Sequence, residues 1–163
     1  GLMRGLAVSI STRAAHCVYE DRTGPMIVEM LTKLGFDADG PTVIPDGPEI
    51  ESVLLSGVHD GYDVIITTGG TGLSPNDVTP EHTRAVITRE IPGIAEAIRS
   101  VGRAAGIDTA ALSRGVAGMA GHTIIINLPG SPGGVKDGLS VIEPLLIHAV
   151  EQAGGGGDHP RSS

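Results

Sequence analysis

Along the chain, short apolar runs alternate with helix-length segments in which apolar residues recur every three or four positions. Residues 6–10 (LAVSI) predict a first strand. Thr23-Gly24-Pro25 then opens a helix, with Thr23 as its cap and Pro25 in the first turn, where a missing N–H costs little. Ile27, Met30, Leu31 and Leu34 share one face of that helix, and Gly35 stops it. Residues 42–44 predict a short second strand, ended by Pro45-Asp46-Gly47, and a helix over about 48–58 turns Ile50, Val53, Leu54 and Val58 to the core. Residues 64–67 predict a third strand. Thr79-Pro80-Glu81 repeats the helix-start pattern, with Val86 and Ile87 facing inward behind it. A turn at 91–93 leads into a helix ending near residue 103, and 107–113 reads as helical or irregular. Two strands, 116–119 and 123–127, flank a turn at Ala120-Gly121, and a last helix covers about 136–152.

Strands alternating with helices predict a three-layer α/β sandwich with a mostly parallel central sheet. The expected layout is a single domain over 1–152, followed by a disordered polar tail, 153–163. Aromatic residues make up 2% of the chain and tryptophan is absent, so the core must come from Val, Ile, Leu and Ala. The same scarcity removes an aromatic platform for single-stranded nucleic acid. A net charge of −8 argues against a duplex-binding face. Cys17 is the only cysteine, expected as a small half-buried residue, so no intrachain disulfide can form. No apolar run approaches the roughly 18 residues of a membrane span. Together these set the expectation of a cytoplasmic protein with no membrane contact.

Residues 67–83, TTGGTGLSPNDVTPEHT, are the unusual stretch. A turn after a strand needs few residues and one glycine, whereas this one spends polar backbone at the carboxyl end of a central strand, where open α/β sheets bind ligands. Gly69, Gly70 and Gly72 admit positive φ and let backbone N–H groups approach a ligand closely. Exposed N–H groups before a helix start suit phosphate, although neither a Gly-Lys-Ser/Thr ending nor G-x-G-x-x-G is present. By spacing alone the loop is either an anion cradle or a strained turn. Asp46 and Asp77 beside a phosphate site make sense with a divalent cation between them. Alternatively Asp46 completes a Pro-Asp-Gly turn and Asp77 an Asx turn. A second glycine- and proline-rich loop, NLPGSPGGV at 127–135, carries Ser131, which either donates to phosphate or shapes its turn. The histidines, His82 and His122 among them, form no ligand pair and no nucleophilic triad.

The glycine loop, with VIPDG before it and LSR and IINLPGSPGG after it, resembles the molybdopterin-binding MogA/MoaB family, whose fold also occurs in the G domain of gephyrin-type proteins. DRTGP at 21–25 and REIPG at 89–93 fit the same order. The resemblance implies a molybdopterin adenylyltransferase that moves AMP from ATP to the terminal phosphate of molybdopterin with Mg²⁺, releasing pyrophosphate. It implies catalytic, magnesium-holding roles for Asp46 and Asp77. It implies nucleotide and pterin contacts for Gly69, Gly70, Thr71, Gly72 and Ser74, and a pterin-side wall of Pro129, Gly130 and Ser131. A homotrimer and a downstream molybdenum-insertion protein follow from the same likeness. Three residues depart from the pattern: Asn76 stands where Arg is frequent, Thr12 where Asp is frequent, and Gly47 where an acidic residue is common. Arg13, Arg22 and Lys136 are the candidates for replacing the lost positive charge. These departures favour, as the alternative, a non-catalytic molybdopterin carrier or scaffold on the same fold.

Overall fold

The computed structural model describes residues 2–155. Its strands are β1 (Arg4–Ile10), β2 (Asp37–Ile44), β3 (Val64–Thr68), β4 (Arg89–Glu90), β5 (Ala117–Ala120) and β6 (Thr123–Leu128), joined in one sheet of order β2-β1-β3-β6-β5-β4. β1, β2, β3 and β6 run parallel, and β5 is antiparallel to both of its neighbours. The helices are α1 (Thr12–Ala15), α2 (Gly24–Lys33), α3 (Glu49–His59), α4 (Thr79–Arg84), α5 (Pro92–Ala104), α6 (Pro132–Ile142) and α7 (Leu146–Ala153), with a 3₁₀ turn at Asp108–Leu112. No helix among the described residues is long and apolar enough to cross a membrane.

Strand side chains alternate between two faces, and here both faces are apolar. Leu6, Val8 and Ile10 of β1 join Ile65 of β3 and Ile125 of β6 against Ile50 and Leu54 of α3 and Val86 beyond α4. Their alternates Ala7, Val64, Ile66, Ile124 and Ile126 pack on Ile27 and Leu31 of α2, Ile98 of α5, Leu139 of α6 and Leu146 of α7. Helices on both faces of a mostly parallel sheet give the three layers expected from the sequence.

Several boundaries differ from the sequence reading. The second strand is Asp37–Ile44, longer than 42–44, because pairing with β1 overrides a local DADGP turn signal. Its place at the sheet edge tolerates Pro41, which has no N–H to give, and the ladder shifts register between Leu6 and Val8. The last helix begins at Pro132 and is two helices. Pro144 separates them, since proline cannot donate to the preceding turn and its ring crowds it. α1 buries no residue and so leaves no hydrophobic period to read; Ser11 caps it by accepting the Ala14 N–H at 3.2 Å. Thr23 occupies the cap position of α2 without a side-chain cap bond, and Asp21 Oδ1 accepts the Gly24 N–H instead at 3.2 Å. Cys17 is exposed rather than half-buried, with φ of 59°. Of the expected tail, Ala153 ends α7 and Gly154 caps it; residues 156–163, with His159, lie outside the described residues.

Ile66 is fully buried on the central strand β3 and packs in the larger core. Ile66→Ala is expected to cost roughly 2–5 kcal/mol through lost burial and residual cavity. Urea unfolding reads this as a lower midpoint at unchanged slope; a shift corresponding to under about 1 kcal/mol would contradict the packing described.

Candidate functional site

The parallel strands β2, β1, β3 and β6 all end on the same edge of the sheet, and the segments that follow them form one continuous rim. β2 delivers Asp46, β1 delivers residues 11–22, β3 delivers the loop 69–78, and β6 delivers Pro129, Gly130 and Ser131. Each sequence-predicted site residue therefore reaches this rim through the strand before it.

Two of the loops depend on glycine at their point of contact. Gly69 (φ 97°) donates its N–H to Leu128 O at 3.1 Å, and a Cβ there would collide with Ile10 O. Gly70 (φ 69°) lies so close beneath α4 and Asp46 that a Cβ would collide with Thr79 Oγ1 and sit 3.1 Å from Asp46 Oδ1. A Cβ on Gly130 would come 3.3 Å from Gly69 Cα, so the loops after β3 and β6 touch backbone to backbone. Buried hydroxyls fix them: Thr68 Oγ1 donates to Pro129 O at 2.6 Å, and Thr79 Oγ1 donates to Gly69 O at 3.0 Å. Polar bonds of this kind, away from water, hold a unique arrangement because breaking one strands a buried group.

The two aspartates are each tied down by one oxygen. Asp46 Oδ2 accepts from Thr12 Oγ1 at 2.9 Å, and the Asp46 N–H returns a bond to that hydroxyl at 3.1 Å. Asp77 Oδ2 accepts the Ser74 N–H at 3.0 Å, so an Asx-type contact does shape the loop. No hydrogen bond engages Asp46 Oδ1 or Asp77 Oδ1 among the described residues. Two carboxylates with one open oxygen each suit a hard cation that takes its remaining ligands from water and phosphate, as magnesium does. The described residues hold no group of three or more His, Cys, Asp and Glu that could form an all-protein metal cage.

Arg114, in the LSR motif, secures the Asp77 loop from outside. Its backbone N–H donates to Thr71 O (2.8 Å), its Nε to Gly72 O (2.9 Å) and its Nη2 to Asp77 O (2.7 Å). Nη1 donates to Glu81 Oε2 at 2.6 Å. That hydrogen bond holds the Glu81 carboxyl below the usual carboxylate range, and the same bond raises the Arg114 guanidinium. Sequence reasoning registers LSR as a family motif and misses its function as a brace; no spacing rule joins residue 114 to residues 71–81. It misses Asp21 as well, whose Oδ2 accepts from the buried Ser9 hydroxyl at 2.8 Å on the wall of the same cleft.

Two adjoining cavities open along the rim. The first, about 670 Å³, is the more polar of the two and includes Thr12, Arg13, Asp21, Arg22, Asp46 and Asn76 in its lining. The second, about 550 Å³, contains Thr71, Gly72, Ser74, Pro129 and Ser131, and is rimmed by the exposed apolar side chains of Leu73, Ile107 and Leu112. Gly70, Asp77 and Gly130 belong to both, and Gly69 to the first. The structure thus gathers the catalytic and binding residues that the resemblance implied, with Asp77 at the junction and Asp46 on the polar side only. Ser131 caps α6 by accepting the Gly134 N–H at 3.1 Å, leaving its O–H free to donate. Lys136 lies apart, in a groove between α2 and α6. His82 pairs with Glu51 at 3.1 Å and His122 approaches Asp63, both away from the two cavities.

Residues 6–148 match the protein family described as "Probable molybdopterin binding domain". The chain is 36% identical over 138 residues to a molybdenum cofactor biosynthesis bifunctional protein of Chlorobaculum tepidum, covering 84% of this chain and 44% of that one. It spans less than half the length of such bifunctional relatives. It is 34% identical over 151 residues to a molybdopterin adenylyltransferase of Helicobacter pylori, covering 88% of this chain and 84% of that enzyme. A solved molybdopterin biosynthesis Mog protein from Mycobacterium ulcerans superimposes with a TM-score of 0.90 at 46% identity, over 95% of this chain and 99% of that one.

The Glu81–Arg114 brace has a pH signature. A depressed folded-state pKa contributes stability that is fully present above ~4.3, the ordinary glutamate value, and is lost as pH falls through the lower folded value. Glu81→Gln is therefore expected to lower the melting temperature near pH 7, with the gap to the parent protein closing below about pH 4. A gap of equal size at about pH 3 would show that charge is not what Glu81 contributes.

Proposed function

Since the chain belongs to the family of probable molybdopterin binding domains, we propose that it is a molybdopterin adenylyltransferase acting in molybdenum cofactor biosynthesis. The observation that carries this reading is the pair of adjoining cavities with Asp77 and Gly70 on their shared edge. A transfer between two substrates needs two seats that meet where the reacting atoms lie. The polar cavity suits ATP. The second, with its apolar rim and the Pro129–Ser131 wall, suits a flat pterin whose terminal phosphate extends to the junction.

In this reading an oxygen of the pterin phosphate attacks the α-phosphorus of ATP, the bond from that phosphorus to the bridging oxygen breaks, and pyrophosphate departs with the electron pair. The chain's contribution is positioning and charge management, because a phosphate is already a competent nucleophile. The glycines bring backbone within reach of phosphate without side-chain obstruction. Asp46 and Asp77 would hold Mg²⁺ through their open oxygens, and bound there it would mask repulsion between the phosphates. Thr12 and Ser74 keep those carboxylates aimed, and Arg114 holds the loop that carries Asp77. The family likeness further supports a homotrimer and delivery of the product to a molybdenum-insertion protein, and the single cysteine supports a cytoplasmic setting.

Pyrophosphate release by the purified protein is expected to require molybdopterin, ATP and Mg²⁺ together, and to stop on chelation with EDTA. Asp46→Asn and Asp77→Asn are each expected to lower turnover at least about 100-fold, the order seen when a preorganised electrostatic group is removed. Full turnover in both variants would end the metal-carboxylate reading. Tight pterin binding without any release, a result that Asn76 in place of arginine would help explain, would make the protein a carrier.

A further inference from the structure

Four of the eight arginines among the described residues are engaged in holding the molecule together. Arg4 donates to Asp60 O, Arg84 pairs with Glu90, Arg99 donates to Ser113 O and Gly115 O, and Arg114 braces the glycine loop. Arg89 and Arg103 make no such contact among the described residues, nor do Arg13 and Arg22, which are set apart by their place. Both line the polar cavity, both are exposed, and neither makes a side-chain hydrogen bond or ion pair among the described residues. They are the cationic residues of that cavity, and Asn76, which lines it from the loop after β3, is neutral. The lining also carries Glu20, Asp21, Asp46 and Asp77. Asp21, Asp46 and Asp77 are each tied to a neighbouring hydroxyl or N–H, so these three carboxylates are anchored while the two guanidiniums are unengaged.

Asp46 and Asp77 follow β2 and β3, whereas Arg13 and Arg22, together with Glu20 and Asp21, belong to the segment between β1 and α2. A planar guanidinium with open donors is suited to phosphate oxygens, which it grips with two parallel bonds. In a chain of net charge −8, and in a lining that also carries four carboxylates, these two side chains are the cations a phosphate entering this cavity would meet. Resting on the adenylyl-transfer reading, we propose that Arg13 and Arg22 form the pyrophosphate seat. They receive the β- and γ-phosphates of ATP and neutralise the charge that gathers on pyrophosphate as the bridging bond breaks. The α-phosphate is left at the Gly70–Asp77 junction. This also assigns the cation that Asn76 does not supply, and it comes from Arg13 and Arg22 rather than Lys136, which lies in the α2/α6 groove.

The test is direct binding, with no pterin and no turnover. Titration calorimetry with magnesium pyrophosphate and, separately, AMP is run on the parent protein, Arg13→Ala, Arg22→Ala and the double variant. Each single change is expected to weaken pyrophosphate about tenfold, as for loss of one charged hydrogen-bonding partner, with a larger loss in the double. AMP, which lacks the β- and γ-phosphates, is expected to stay within about twofold of the parent on the same reasoning. Should the alanine double variant melt early, Arg13→Gln/Arg22→Gln replaces it with the same expectation. Unchanged pyrophosphate affinity, equal weakening of pyrophosphate and AMP, or no pyrophosphate binding by the parent would each overturn the assignment. Arginine-dependent pyrophosphate binding in a protein without adenylyl transfer would keep the seat and remove only the proposed reaction.

Discussion

The site rests on a backbone-to-backbone contact between the loops that leave β3 and β6. Gly69 and Gly130 lie so close to neighbouring backbone that a side chain on either would press on main chain, and the Gly69 N–H closes the contact on Leu128 O. Everything chemical is hung from this junction. Asp77 hangs at the far end of the same loop as Gly69, Gly70 lies under Asp46, and the Pro129–Ser131 turn is tied to β3 through the Thr68 hydroxyl. Bringing the loops together sets two adjoining cavities side by side on the strand-end edge where open α/β sheets bind ligands.

On the proposed reading, an acidic chain that binds phosphates must keep its carboxylates from repelling the ligand. Here each aspartate gives one oxygen to a local donor, Thr12 for Asp46 and Ser74 for Asp77, which sets its direction and leaves the other oxygen for a cation. Thr12 is informative because the family resemblance leads one to expect aspartate there. A hydroxyl at that position both donates to Asp46 and accepts from its backbone, a pairing that a second carboxylate could not make in its charged form. The positive charge is divided as well: Arg114 is committed to carbonyls and Glu81, while Arg13 and Arg22 stay open.

The parts of the fold that were readable are those in which local pattern and tertiary environment agree. Polar residues do not alternate with apolar ones in the middle of β3 and β6, because Val64, Ile65, Ile66, Ile124, Ile125 and Ile126 are buried whichever face they point to. A short unbroken apolar run bounded by turn residues is what such strands look like in sequence. The helices α2, α3 and α5 show their buried faces at helical spacing, and proline near the start of α2 and α5 marks where they begin. The unreadable parts are those whose reason lies elsewhere in the chain. Asp37–Ile44 is a strand because β1 offers it an edge, β4 exists because β5 pairs with Arg89 and Glu90, and α1 is held by the Ser11 cap without burying anything.

By itself the sequence determined the fold class, the order of the main strands and helices apart from α1 and β4, and the rim segments that carry the candidate chemistry. Periodicity, glycine and proline are local properties, and a strand-end loop must fall on the same edge as the other parallel strand ends. The ordered motifs also pointed to the family. Only the tertiary structure decided that Asp77 sits between two cavities, that Thr12 and Arg114 hold the site, that Arg13 and Arg22 face the polar cavity while Lys136 does not, and that Ser131 is a helix cap. Those are contacts between residues far apart in the chain or choices made by the packing around them. Their partners are selected by how the layers come together, and no spacing along the sequence records that selection.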